Sequence, residues 1–377
     1  PAGSPPCAMK SLMTRWKVTP SRLAMKRTSV LKSSAAAALP LALIATLFAA
    51  GWLWSLSGTL GLQALGNWLT VPMRAITFLG DEQFYLIAIP LVYWCIHKEL
   101  GADLAVLLLM SSFINGALKS FIKHNRPFWE DPRLQLDDAG SFSTPSGHSQ
   151  TSAALFGYLA WHQANKRRGV LWIAILGLLI LLVALSRVYL GVHFPGDVLW
   201  GAAIGLVLAA LFARLKPALL RRLRRLSLGQ HLALALAAAA LIFGLETLLL
   251  GVPFGTGQLY HVLYPEAWRA TLDEAATVAG LAFGLWFGLA VESRYVRFTV
   301  AGRWWQRVLR YLVGLIGLAA IWLGLRLVFP EEPLALGLAL RSVRYGLAML
   351  WAIVFWPWLF LKLGLAAAAE KDTGRER

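Results

Sequence analysis

The stretch Ser186-Arg187-Val188-Tyr189-Leu190-Gly191-Val192-His193-Phe194-Pro195-Gly196-Asp197 joins two long apolar runs, 170–185 and 198–212. An arginine, a histidine and an aspartate at such a hinge need a reason, because ionisable groups at the edge of a bilayer cost free energy and usually mark a site. His193 suits a nucleophile, and Asp197 suits the carboxylate that fixes its tautomer. Arg187 offers a planar fork of donors that matches phosphate oxygens.

Two further motifs carry complementary chemistry. In Lys119-Ser120-Phe121-Ile122-Lys123-His124-Asn125-Arg126-Pro127, Lys119 and Arg126 are seven residues apart. That spacing predicts one shared helix face, with Pro127 marking the helix end. Thr144-Pro145-Ser146-Gly147-His148 opens another apolar run. Thr144 is expected to cap that helix and Pro145 to be its first residue. The backbone N–H groups of Ser146, Gly147 and His148 would then face an anion above the helix, with Gly147 allowing close approach. His148 could protonate a leaving oxygen. Each motif alone has a plainer reading: snorkelling basic residues, a capped helix start, an interfacial Tyr/His belt.

Together the motifs describe one reaction. A carboxylate-assisted histidine, a second histidine as acid, and Lys119, Arg126 and Arg187 with backbone amides suit phosphoryl transfer through a phosphohistidine. No Asp/Glu/His cluster with metal-ligand spacing stands nearby, so neither metal nor cofactor is called for.

The elements that must position these groups are membrane spans. The chain has 377 residues, 58% of them hydrophobic and 15% charged. A soluble domain is nearer half apolar and a quarter charged. Ten apolar runs read as spans: 35–56, 83–97, 102–121, 149–162, 170–187, 198–214, 231–250, 276–291, 311–329 and 343–364, the second and fourth short for the ~20 residues a span needs. The net charge of +17 would suggest nucleic acid in a soluble protein, but no finger spacing or aromatic-and-basic module is present. The basic residues instead lie between apolar runs. Residues 1–34 hold seven Lys/Arg and no Asp/Glu; Lys166, Arg167 and Arg168 follow the fourth run. Arg214, Lys216, Arg221, Arg222, Arg224 and Arg225 follow the sixth, and five arginines accompany Glu292 in 292–310. The alternate connections carry Glu266, Asp273, Glu274, Glu331 and Glu332. The positive-inside rule then places both termini in the cytoplasm and the three motifs on the outer, periplasmic face of a bacterial inner membrane. The basic 214–231 connection also suits anionic headgroups.

Cys7 and Cys95 imply no disulfide framework. Proline at position 1 is not a natural start, which leaves Met9, Met13 or Met25 as candidates. The 35–56 run is read as a retained helix rather than a cleaved signal.

With six residues between Lys119 and Arg126-Pro127, then Pro145-Ser146-Gly147-His148, then five residues between Ser186-Arg187 and His193 and three between His193 and Asp197, the chain resembles the type 2 phosphatidic acid phosphatase family. That family is related to vanadium haloperoxidases and glucose-6-phosphatase. The resemblance covers about residues 35–214, and its motif is followed without departure. It implies an all-α, six-helix membrane phosphatase core with catalytic His193, His148 and Asp197. It also implies phosphate binding by Lys119, Arg126, Ser146, Gly147 and Arg187, and a lipid phosphate as substrate. The expected organisation is a basic segment 1–34, a phosphatase core 35–214 and a basic connection 215–230. C-terminal spans 231–365, about four of them, and a tail 366–377 complete it. The C-terminal spans show no catalytic constellation, although His261 and Glu266 could touch substrate and Trp304-Trp305 fits an interfacial belt. Substrate shaping and homodimer formation are both open roles for them. The expected activity is metal-independent hydrolysis of a phosphomonoester or diphosphate on a lipid. Undecaprenyl diphosphate, phosphatidate, phosphatidylglycerophosphate and sphingoid phosphates are the candidates. The alternatives are a lipid phosphotransferase, a vanadate haloperoxidase, and a non-catalytic transporter or scaffold.

Overall fold

The computed structural model describes residues 51–252 and 264–369. Residues 35–50 of the expected first span, His261 and Cys7 lie outside these residues. Among the described residues the protein is all-α, with a single isolated bridge between Phe298 and Ala368.

The first α-helices of the described residues are short, α1 (Ser57–Gln63) and α2 (Thr70–Thr77). Helix α3 (Glu82–Leu91) follows and ends in a π-turn at Val92–Ile96. Helix α4 (Lys98–Ile122) comes next. Then come α5 (Gly147–Gln163), α6 (Gly169–Tyr189) and α7 (Pro195–Leu223). The C-terminal set is α8 (Leu228–Gly251), α9 (Pro265–Val291), α10 (Trp304–Val328) and α11 (Leu334–Leu350). Helix α11 continues through Trp351–Phe355 into a last helical segment, Trp356–Lys362.

Seven helices among the described residues are long and apolar enough to cross a bilayer. Their outward faces carry aliphatic and aromatic side chains such as Val170, Leu171, Leu178 and Ile316, and the chain is an integral membrane protein. The two runs that read as short are short in the structure. Helix α5 has 17 residues. Residues 82–96 form the second arm of a pair bent by 52° against Asn67–Gly80. That first arm lies over the end of the bundle where α6 finishes: Thr70 Oγ1 is 3.1 Å from the Tyr189 hydroxyl, and Arg74 donates to the Leu136 carbonyl at 2.6 Å. Sequence periodicity gave no hint of this cover, because its elements are short and irregular.

Tight backbone approach holds α5 to α7. A Cβ on Gly201 would collide with the Ser146 carbonyl and one on Gly205 with that of Gln150. Polar glue joins α4 to α5, since Asn115 Nδ2 donates to the Pro145 carbonyl at 3.1 Å and to Gln150 Oε1 at 3.0 Å. Gln150 Nε2 in turn donates to the Ser111 carbonyl at 2.8 Å. Such bonds between helices substitute for a hydrophobic driving force that lipid does not supply. At the other end of α4, Lys98 pairs with Glu292 at 2.6 Å. The Trp94 indole donates to the Ala352 carbonyl at 2.9 Å. The C-terminal helices are therefore packed into the same body as the motif-bearing ones.

Candidate active site

The three motifs converge at one end of the bundle. The hinge between α6 and α7 turns at Gly191 (φ 75°), where a side chain would strike the Leu134 carbonyl. That turn hands the chain from Arg187, near the end of α6, to His193 and then to Pro195 at the start of α7.

His193 is 2% exposed and Asp197 fully buried. His193 Nδ1 lies 3.3 Å from Asp197 Oδ2. The carboxylate is held from three further directions: Ser143 Oγ donates to Oδ2 at 2.5 Å, Thr144 Oγ1 to Oδ1 at 2.5 Å, and the Phe194 N–H to Oδ2 at 2.8 Å. Burial pushes the His193 ring pKa well below its ordinary value, against the opposing pull of Asp197. The ring is therefore neutral near pH 7. With Nδ1 turned to Asp197, Nε2 faces Arg126, whose Nη1 is 3.4 Å away.

Lys119 and Arg126 meet, but not by sharing a helix face. Helix α4 ends at Ile122, with Lys123 as a left-handed cap (φ 51°). Arg126 precedes Pro127 and is extended (φ −92°, ψ 155°), as the ring of a following proline requires. The two cations converge because both reach one segment of loop. Lys119 Nζ donates to Ser141 Oγ at 3.0 Å. Arg126 donates from Nε to the Ser141 carbonyl at 2.5 Å, from Nη2 to the Phe142 carbonyl at 3.1 Å and from Nη1 to the Val192 carbonyl at 2.8 Å. Three of its five donors thus tie the loop to the hinge, and Nη1 also lies beside His193.

The third motif also departs from its expected local form. Thr144 does not cap the helix, because its hydroxyl is committed to Asp197. The helix starts at Gly147, and Ser146 is the N-cap residue, without a side-chain cap bond. The Ser146 N–H donates to the Asp197 carbonyl at 3.0 Å, so it is not available to an anion. Gly147 and His148 begin the helix beside that contact. His148 Nε2 donates to Asp81 Oδ1 at 2.6 Å. Arg187, 3% exposed, donates through Nη1 to Thr77 Oγ1 at 2.8 Å and to Asp137 Oδ2 at 2.9 Å.

The sequence reading missed several of these residues. Asp81 follows Gly80 at the bend before α3, and an acid at the edge of an apolar run was the available signal. Asp137, Ser141 and Ser143 lie in an irregular loop, where spacing has no meaning. Glu246 on α8 is 1% exposed with no hydrogen-bond partner on either oxygen, and it sits against Gly116, one turn before Lys119.

Residues 100–221 match the family described as the PAP2 superfamily, and residues 276–369 match the PAP2 superfamily phosphatase transmembrane extension. Phosphatidylglycerophosphatase B of Bacillus subtilis (strain 168) is 34% identical over 151 residues, spanning 37% of this chain and 72% of that protein. Sphingosine-1-phosphate phosphatase 2 of Mus musculus is 32% identical over 139 residues, or 35% of this chain but only 38% of the mouse protein. Among solved structures, the PAP2-type phosphatidylglycerolphosphate phosphatase of Bacillus subtilis is 28% identical, covering 43% of this chain and 84% of that one, with a TM-score of 0.39. The chain belongs to the PAP2 superfamily of membrane phosphatases, which includes lipid phosphate phosphatases.

Proposed function

We propose that this protein hydrolyses a phosphate ester or diphosphate on a lipid through a phosphohistidine at His193. The observation that carries this reading is the orientation of one ring: Nδ1 is held on buried Asp197, and Nε2 is turned to the Arg126 guanidinium. The nitrogen that carries the lone pair therefore faces the Arg126 guanidinium, and Lys119 reaches the same loop residue, Ser141, as Arg126 does.

In the first half-reaction Nε2 attacks phosphorus in line, and the bond from phosphorus to the leaving oxygen breaks. His148 supplies the proton that oxygen needs. Asp197 stabilises the positive charge that develops on the His193 ring. In the second half, water attacks phosphorus, His148 takes its proton, and the P–N bond breaks to give inorganic phosphate and free His193. Lys119, Arg126 and Arg187 stabilise the equatorial oxygens throughout, with Gly147 at the floor. Asp81 holds one nitrogen of His148 and leaves the other for the leaving group.

Lipid as substrate is supported by the membrane setting of the site and by the lipid phosphates for which the relatives are named. Phosphatidate, phosphatidylglycerophosphate, undecaprenyl diphosphate and sphingoid phosphates all present the required terminal phosphate. The charge pattern of the connections supports a bacterial inner membrane, an outward-facing site and cytoplasmic termini. The test is purified protein in detergent with those four lipids and a chelator, scored by release of inorganic phosphate. Turnover of at least one supports the reading. Transfer of the phosphoryl group to an added acceptor lipid with no phosphate release would replace hydrolysis with phosphotransfer.

A further inference from the structure

Residues 141–143 hold most of the site together. Ser141 receives both Lys119 and Arg126, the Phe142 carbonyl receives Arg126, and Ser143 Oγ donates to Asp197. The Ser143 N–H also donates to the His124 carbonyl at 2.9 Å. This segment belongs to an irregular stretch, from Gln135 to Ser146, with no helix of its own. Something outside it must fix its position, since ordering each backbone residue costs roughly 1–2 kcal/mol.

The Phe142 side chain supplies that anchor. It is fully buried, in a cluster with Leu250 of α8, with Ala267, Leu272 and Ala276 of α9, and with Leu338 of α11. Trp129 meets its ring edge-on at 6.1 Å and is itself stacked on Tyr264 at 4.4 Å. A Cβ on Gly140 would sit 3.5 Å from the Ala270 methyl, so the segment runs directly over the start of α9. All of these anchoring residues except Trp129 lie beyond residue 221, where the PAP2 superfamily match ends.

We infer that Phe142 is a positioning residue through which the C-terminal helices set the affinity of the phosphate cradle. Its carbonyl receives Arg126 and the neighbouring Ser141 receives both cations, while its ring is gripped by the C-terminal helices. Loosening the grip moves Lys119 and Arg126 together. This rests on the reading that Lys119 and Arg126 bind phosphate, and the test separates the two.

The probe is orthovanadate, a phosphate analogue, and the readout is its dissociation constant from the ligand-dependent rise in melting temperature of the full-length protein in detergent. That constant is obtained independently of each variant's own melting point, so general destabilisation does not move it. Phe142→Ala is expected to weaken orthovanadate binding tenfold or more. Phe142→Leu, which refills most of the cavity, is expected to stay within threefold of the wild type. The double variant Leu272→Ala/Leu338→Ala alters only the C-terminal helices, and it is expected to show the same weakening as Phe142→Ala. Arg126→Ala serves as the control for the underlying reading. If Arg126→Ala abolishes binding while Phe142→Ala and the double variant bind as the wild type does, the inference is overturned and the cradle stands. If the wild type gives no shift, or Arg126→Ala binds normally, the cradle reading itself falls. Should Phe142→Ala fail to fold, the double variant decides by the same criterion.

Discussion

His148 Nε2 and Asp81 Oδ1 are 2.6 Å apart, although 67 residues separate them in the chain. The contact fixes the imidazole ring of the proposed acid and selects which nitrogen is left for the leaving group. Asp81→Asn keeps the shape but removes the charge. It should lower kcat by about 10²-fold, the lower end of what a positioned acid contributes, with little change in KM. Steady-state kinetics on the best lipid of the panel would show this. An unchanged kcat would remove Asp81 from the mechanism.

Arg126 is placed as an organiser as much as a charge, because three of its donors end on the carbonyls of Ser141, Phe142 and Val192. Lysine carries the same charge without the fork and cannot span those carbonyls. Arg126→Lys should therefore be nearly as inactive as Arg126→Ala, each down by about 10²-fold or more in kcat/KM. Substantial rescue by lysine would mean that charge alone matters at this position.

The pH dependence follows from His193. Its neutral ring is the nucleophile, and burial disfavours the protonated form. The acid limb of kcat/KM that belongs to this ring should therefore lie below the ordinary imidazole value of about 6.5. Asp197 opposes that displacement, so Asp197→Asn should move the limb to still lower pH while reducing kcat. A profile of kcat/KM from pH 4 to 9 for both proteins checks the sign. A limb moving upward in the variant would contradict the assigned pairing.

Helix α7 carries Asp197 and approaches the α5 backbone at Gly201 and Gly205, where an added methyl meets carbonyl oxygens rather than pliable side-chain ends. Gly205→Ala should cost about 1–3 kcal/mol, as overpacking does, and lower activity by shifting His148 relative to His193. Thermal unfolding in detergent with a parallel rate assay measures both. A melting temperature equal to that of the wild type would show that the crossing is looser than it is drawn.

The three motifs were legible in the sequence because their residue types are costly in a membrane and recur at fixed spacing. The spans were legible because apolar runs of that length have one common use. The local forms of the motifs were less so. Helical spacing suggested that Lys119 and Arg126 share a face, whereas a left-handed residue at Lys123 ends the helix between them. Thr144 reads as a cap until Asp197, 53 residues away, claims its hydroxyl at 2.5 Å. Asp81, Ser143 and Phe142 act through contacts between distant segments, which no periodicity encodes.

The most direct measurement is made on His193 itself. Wild-type protein mixed with a ³²P-labelled lipid phosphate and quenched in alkali should carry label that acid removes, as a phosphohistidine does. His193→Ala should carry no label and release no phosphate. Phosphate release by His193→Ala at a rate near that of the wild type would contradict the account at its centre.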